Sequence, residues 1–351
     1  MKKALKITFF SLLTLIVLVG ILVWTAFGEM IKGALSVKKL DDNLYYMEYE
    51  GDDGFDEFLS SGGAKDAEDL NKQLSKFLSK GYYTPPSNPD TMKFGCSALS
   101  IRTPDNDVIM GRNFDYPSGT AVILHSLPKN GYENISTFDV TLYGFGENFL
   151  PEGFKNQYLT LSGLFVALDG INEKGFAIAD LMAGDYVETH QNTGKPALTT
   201  TAAIAYLLKR AATVDEAINL LSGIDMHSDI GAAHHYAMSD TTGKSVVVEY
   251  VNNQMIVTES HVVANHYLCQ QKLNAGWVEG DNRYQKLCNF YDNANGVMDS
   301  LKLKEAIFSV TQSSPSYGTQ WTMIMNLSKK SVTYYMRRNF DKPFSFEMQR
   351  R

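Results

Sequence analysis

The stretch GCSALSIRTPDNDVIMGRNFDYP, Gly95 to Pro117, reads as two strands around a turn. The runs CSALSI and VIMGRNFDY flank RTPDND, a Pro/Asp/Asn cluster of the kind that closes hairpins. A turn centred between Asp105 and Asn106 would set Cys96 opposite Asp115. Gly95 has no Cβ to shield its carbonyl from the thiol that follows it. Arg112 and Asp115 stand sixteen and nineteen positions after Cys96. Taken singly, these residues have bland readings: a small buried thiol and a surface ion pair on a strand end. Together they describe a nucleophile. A cysteine at a new N-terminus carries a thiol and, beside it, an α-amine with an ordinary pKa of about 7.7–8.0. The amine can take the thiol proton, directly or through water, so no histidine is needed. Arg112 would favour the thiolate by charge. Asp115 would accept a hydrogen bond from the amine and orient it.

Upstream, YYTPPSNPDT (Tyr82–Thr91) is a linker by composition, rich in proline and polar residues. It makes the Gly95–Cys96 junction an accessible cleavage site. Before it, KDAEDLNKQLSKFLSK places Leu70, Leu74, Phe77 and Leu78 on one helical face, and Gly81 ends the helix. Residues 29–95 thus read as a separate piece, a pro-segment whose apolar helix face needs a partner. At the N-terminus, Ile7–Phe27 is about twenty uncharged residues, long enough to span a bilayer as a helix. The expectation is a signal-anchor over residues 1–28, with a signal peptide cut near "AFG" as the other reading. Lys2, Lys3 and Lys6 would stay cytoplasmic, which puts the rest of the chain outside the membrane.

Downstream, residues 96–351 form one unit. DGINEKGFAIADLM is a strand pair around a tight turn, in which Asn172 reads as a turn residue. TTTAAIAYLLKRAA is a helix, and TVDEAINLLSG is a second with a capping box from Thr213 to Glu216. The stretch from His234 to Asn265 is a meander with turns at Thr242-Gly243 and Asn252-Asn253, and QWTMIMNLSKKSVTYYMRR is a late hairpin. Strand groups separated by helix groups indicate an α+β fold with antiparallel sheets.

The formal net charge of −7, with no basic stripe, excludes a nucleic-acid partner. Three cysteines are too few for a disulfide framework; Cys269 and Cys288 could pair or stay as apolar thiols. Of the seven histidines, His234 and His235 are adjacent on a strand and face opposite ways, so they do not make a metal site.

The pattern GC(S)…GRNFDY resembles the choloylglycine hydrolase family, linear-amide C–N hydrolases of the N-terminal-nucleophile class. Further segments agree in order. Asn172–Ala179 resembles the family's NE(K/H)GLAIAG, HVVANHY its xVLTNxP, and EGDNRYQKL its SPSRFxR. The resemblance implies a four-layer αββα sandwich of two antiparallel sheets between helix layers. It implies self-cleavage between Gly95 and Cys96, and then hydrolysis of a small-molecule N-acyl amide through a Cys96 thioester. It places an oxyanion-hole asparagine on Asn265, a backbone donor near Met182, and the active-site arginine on Arg283. No cofactor or metal is implied. Met182 stands where bile salt hydrolases carry asparagine, so the substrate is left open. The other readings are an acyltransferase and an inactive membrane-tethered binding module on the same fold. A homo-oligomer is compatible with either.

Overall fold

A computed structural model describes residues 2–83, 95–143, 145–146, 148–185, 187–229, 231–314 and 317–348. From Thr84 on, the expected linker lies outside the described residues. In chain order the first elements are α1 (Lys2–Ser36), β1 (Lys38–Asp41), β2 (Leu44–Gly51), α2 (Phe55–Ser60) and α3 (Ala67–Ser79). Then come β3 (Gly95–Arg102), β4 (Val108–Tyr116), β5 (Ala121–Pro128), β6 (Asn134–Asp139), α4 (Gly153–Leu159), β7 (Asp169–Asn172) and β8 (Ala177–Met182). The middle holds β9 (Ala197–Thr199), α5 (Thr200–Arg210), α6 (Val214–Ser222), β10 (Asp225–His227), β11 (His234–Ser239), β12 (Ser245–Val251) and β13 (Gln254–Glu259). Last are β14 (Val262–Val263), α7 (Arg283–Asn293), α8 (Ser300–Ser309), β15 (Ser313–Ser314), β16 (Tyr317–Asn326), β17 (Ser331–Met336) and β18 (Pro343–Glu347).

Two large sheets face each other. One has nine strands in the order β1-β2-β5-β6-β7-β8-β11-β12-β13; the other runs β14-β3-β4-β16-β17-β18, with β15 beside β16. Alternation along each strand sorts side chains into three apolar layers. Ala98, Met110, Phe114 and Met323 meet Ile135, Ile171, Ala179 and Val247 between the sheets. Leu99, Ile101 and Ile109 turn the other way, onto Leu287 of α7 and Leu303 and Ile307 of α8. Val122, Ile178 and Val248 of the nine-stranded sheet pack on Ile204, Leu207 and Leu208 of α5 and Leu221 of α6. The result is the four-layer αββα sandwich. One correction is needed to its description as wholly antiparallel: β2 and β5 pair in parallel, as do the short β9 and β10.

The local expectations translate directly. Asn252 and Asn253, at φ 52° and 61°, close the β12–β13 hairpin. Thr213 caps α6 by accepting from the Glu216 N–H, and Glu216 reaches back to the Ala212 N–H. Asn172 is the turn residue it was read to be: its amide oxygen accepts from the N–H groups of Lys174 and Phe176. Cys269 and Cys288 are free thiols, not a disulfide.

Residues 29–83, separate in sequence character, are not separate in space. β2 lies inside the nine-stranded sheet, between β1 and β5. Leu70, Leu74 and Leu78 of α3 belong to the same apolar layer as α5 and α6. α1 is the one helix among the described residues long and apolar enough to cross a membrane, over Phe9–Ser36 with mean hydropathy 2.5. Its exposed apolar part runs unbroken into a buried end, where Met30 and Ala34 enter the fold. Gly33 permits that contact, since a Cβ there would come within 2.7 Å of the Tyr49 ring.

Candidate active site

The β3–β4 hairpin turns through three residues rather than two. The Thr103 N–H donates to Asp107 O (2.8 Å), the Asn106 N–H donates to Thr103 O (2.9 Å), and Asn106 is left-handed at φ 67°. This extra residue corrects the expected register: Asp115 faces Gly95, and Cys96 faces Phe114. A one-residue shift moves a side chain to the other face of its strand. Cys96 therefore shares the inter-sheet layer with Ala98 and Phe114, while Asp115 lies across from the peptide that precedes it.

Asp115 still reaches the junction, through Arg283. The Arg283 Nη1 donates to Asp115 Oδ2 (3.0 Å) and to Cys96 O (3.1 Å). Its Nη2 donates to Asn265 Oδ1 (3.0 Å) and Asp281 Oδ2 (2.6 Å), and its Nε to Asp281 Oδ1 (3.0 Å). The Cys96 N–H donates to Asn265 Oδ1 at 2.6 Å, and Asn265 Nδ2 donates to the Met182 carbonyl at 2.8 Å. An amide nitrogen has two hydrogens; Met182 takes one, through its carbonyl oxygen. Thr319 donates to Asp115 Oδ1 at 2.6 Å. A bulge next to Thr319 in β16 sets this contact. Asp115, Asn265, Arg283 and Met182 are thus brought together around the backbone of Cys96.

Arg112 is placed differently. It is wholly buried, so the reading as a surface ion pair fails. Its Nη2 donates to Asp180 O (2.9 Å), its Nε lies 3.0 Å from Asp169 Oδ2, and its guanidinium stacks over Phe114. Trp321 Nε1 donates to the same Asp169 oxygen. Behind it, His234 Nδ1 sits 3.0 Å from both oxygens of Asp180, and His234 Nε2 3.0 Å from Asp229 O. His235 faces the opposite way, toward Glu249, whose carboxylate accepts from the N–H groups of Leu268 and Cys269 and so ties down the segment that carries Asn265.

Electrostatics follow from burial. The Cys96 thiol is pushed up to about 12 by desolvation; the Arg112 charge pulls the other way and the Asp115 and Asp180 carboxylates do not. Burial likewise raises Asp115 to about 6, against the pull of Arg283, Thr319 and Arg112. Burial opposes the His234 imidazolium too, but the Asp180 carboxylate outweighs it and lifts His234 to about 9. Beside the buried junction a cleft of about 390 Å³ is lined by Val278, Asp281, Asn282, Arg283, Lys286 and Gln312 among others.

Sequence reading missed Asp281, Thr319, Asp169 and Asp180. Asp281 could have been found, since it sits two residues before Arg283 in EGDNRYQKL. The others come from strands far apart in the chain and carry no local signature.

Residues 96–278 match the sequence model of linear amide C–N hydrolases, choloylglycine hydrolase family, and the match begins at Cys96 itself. A penicillin V acylase from Pectobacterium atrosepticum is 30% identical over 131 residues, 33% of this chain and 35% of that protein. The alignment therefore spans about a third of that relative's length. Two structures of conjugated bile acid hydrolase from Clostridium perfringens, a mutant and a further variant, superpose with TM-scores of 0.53 and 0.54. Each is 18% identical, and the alignments cover 72% of this chain and 92% of theirs. At that identity they speak to the fold.

Proposed function

Because the chain belongs to the choloylglycine hydrolase family of linear amide C–N hydrolases, we propose that it hydrolyses a small-molecule N-acyl amide through a Cys96 thioester, after cutting itself between Gly95 and Cys96. One observation carries this reading. In the uncut chain the Gly95–Cys96 junction is already gripped by Asn265 at the Cys96 N–H, by Arg283 at the Cys96 carbonyl, and by Asp115 across from Gly95.

After the cut, the nitrogen that now donates to Asn265 becomes the α-amine. Asn265 and Asp115, through Arg283, orient it as the base for the thiol. Arg112 supplies the positive charge on the thiolate's side of the strand, and it lowers the Cys96 thiol against the desolvation that raises it. Cys96 Sγ attacks the amide carbonyl. The amine leaves with the thiol proton, and water then clears the thioester. The second Asn265 N–H and a backbone N–H near Met182 stabilise the oxyanion; one such donor is worth roughly 10²–10³ in rate. Residues 29–95 remain as a small subunit, because β2 is an interior strand of the nine-stranded sheet. The domain sits on the extracytoplasmic face, tethered through α1.

The test is the intact mass and N-terminal sequence of purified protein, wild type beside Cys96→Ala. The wild type should yield a chain starting at Cys96, and the variant should stay whole. The processed enzyme should then turn over a member of a panel of bile acid conjugates, penicillin V, N-acyl homoserine lactones and N-acylethanolamines. Full turnover by Cys96→Ala would end the assignment.

A further inference from the structure

The geometry points to a substrate restriction at the α-carbon of the acyl group: we propose that Tyr317 limits this nucleophile to acyl groups unbranched at that carbon. The inference rests on the self-cleaving reading above. In that reading, the first acyl group that Cys96 takes is Gly95 itself. Sγ bonds to the Gly95 carbonyl carbon, the Gly95–Cys96 C–N bond breaks, and the thiol proton ends on the departing α-amine. Water then splits the thioester, giving the Gly95 carboxylate and the free thiol. The Gly95 α-carbon therefore marks where the α-carbon of any later acyl donor sits.

That position has no room. A Cβ built on Gly95 would overlap the Tyr317 hydroxyl and lie 3.3 Å from both Arg283 Nη1 and Asp115 Oδ2. Space alone imposes glycine here, since Gly95 is in ordinary extended backbone, paired with Asp115. The Tyr317 hydroxyl is carried on an anchored stretch of main chain. Tyr317 opens β16, its neighbour Gly318 pairs with Tyr116 on one side, and Ser314 of β15 pairs with it on the other. The Ser314 hydroxyl also donates to Tyr317 O at 2.9 Å. Arg283 and Asp115 are held by the bonds described above, so a methyl group at the α-carbon meets two held side chains and the hydroxyl of a third. A single added carbon in a closed pocket is typically worth roughly 10–200-fold in discrimination.

Two measurements test this. The first follows self-cleavage by mass in wild type, Gly95→Ala, and Gly95→Ala combined with Tyr317→Phe. Gly95→Ala should cut roughly 10–200-fold more slowly, and removing the hydroxyl should restore much of the rate. Gly95→Ala cutting at the wild-type rate, or a double variant no faster than Gly95→Ala, overturns the proposal. A wild type that stays whole overturns the self-cleaving reading and this one with it, so the two failures are distinct. The second measurement needs no variant at Gly95. Processed wild type is acylated with the p-nitrophenyl esters of hexanoic acid and of (R)-2-methylhexanoic acid, whose methyl takes the place of an L side chain. Rates of p-nitrophenol release are divided by those with free cysteine. A normalised preference of tenfold or more for the straight chain, narrowed by Tyr317→Phe, supports the restriction; equal normalised rates remove it.

Discussion

Two charged clusters flank Cys96, and they are built on opposite principles. At the rim, Arg283 spends its donors on Asp281, Asp115, Asn265 and the Cys96 carbonyl. It stands 8% exposed, so water can reach it. Inside, Arg112 is wholly buried, makes one aligned hydrogen bond to Asp180 O, and leaves its Nη1 without a partner among the described residues. A buried donor left unpaired is costly and calls for a reason. The rim cluster is a clamp: it fixes geometry and neutralises its own charge. The inner cluster keeps part of its charge in a dry layer, where it acts on a sulfur more strongly than it would in water.

If that division is right, the two clusters respond differently to substitution. The largest expected effect is Arg112→Ala, which strands Asp169 in the core and should cost about 3–5 kcal/mol in urea unfolding. Alkylation of Cys96 by iodoacetamide should slow in the same variant. A loss under about 1 kcal/mol would mean Asp169 is neutral and the inner pair is not ionic. Next, Asp115→Asn should lower turnover by about 10²-fold or more, with little change in unfolding. In wild type the acid limb of the self-cleavage rate should fall near pH 6, the raised value of Asp115 before the cut, and Asp115→Asn should lose that limb. The sign on stability is the reverse. Folded Asp115 holds its proton to about 6, above its unfolded value, so its favourable contribution is full below about 3.9 and lost as pH rises through 6.

His234 gives a smaller effect confined in pH. Its folded value of about 9 lies above its unfolded value, so the stability it contributes is full below about 6.5 and lost as pH rises through 9. His234→Gln should therefore lower Tm more at pH 6 than at pH 10; equal losses would break its ion pair with Asp180. The smallest expected effect is Thr319→Val, about 1 kcal/mol in thermal unfolding. It should also shift the acid limb upward, because Asp115 loses a hydrogen bond that favours its charged form.

The fold was legible where its cues are local. The Asn252-Asn253 turn, the Thr213 cap, the Asn172 turn and the apolar face of α3 each announce themselves within a few residues. The cluster around Cys96 was legible through spacing and resemblance, because Cys96, Asp115, Asn265 and Arg283, which the fold gathers, each sit in a short recognisable segment. The hairpin register was missed by one residue, since TPDN accommodates either a two- or a three-residue loop and only the left-handed Asn106 decides it. The inner cluster was unreadable. Asp169, Asp180 and Trp321 meet Arg112 from three strands, and no local pattern ties a strand of one sheet to its opposite number in the other. The parallel pairing of β2 with β5 is non-local for the same reason.

That parallel pairing has a consequence for how the molecule lasts. An uncut chain folds as one body, and the chance that β2 finds β5 does not depend on how many molecules are present. If the backbone is severed ahead of Cys96, as proposed, β2 and β5 come to belong to different polypeptides. Unfolding then becomes a dissociation, and its midpoint depends on protein concentration. The precursor should refold at any dilution, while the mature pair, once taken apart, should reassemble only as fast as its halves meet. Holding one half in a membrane would confine that search to two dimensions for the anchored partner alone, so loss of the other half to solution would be close to final.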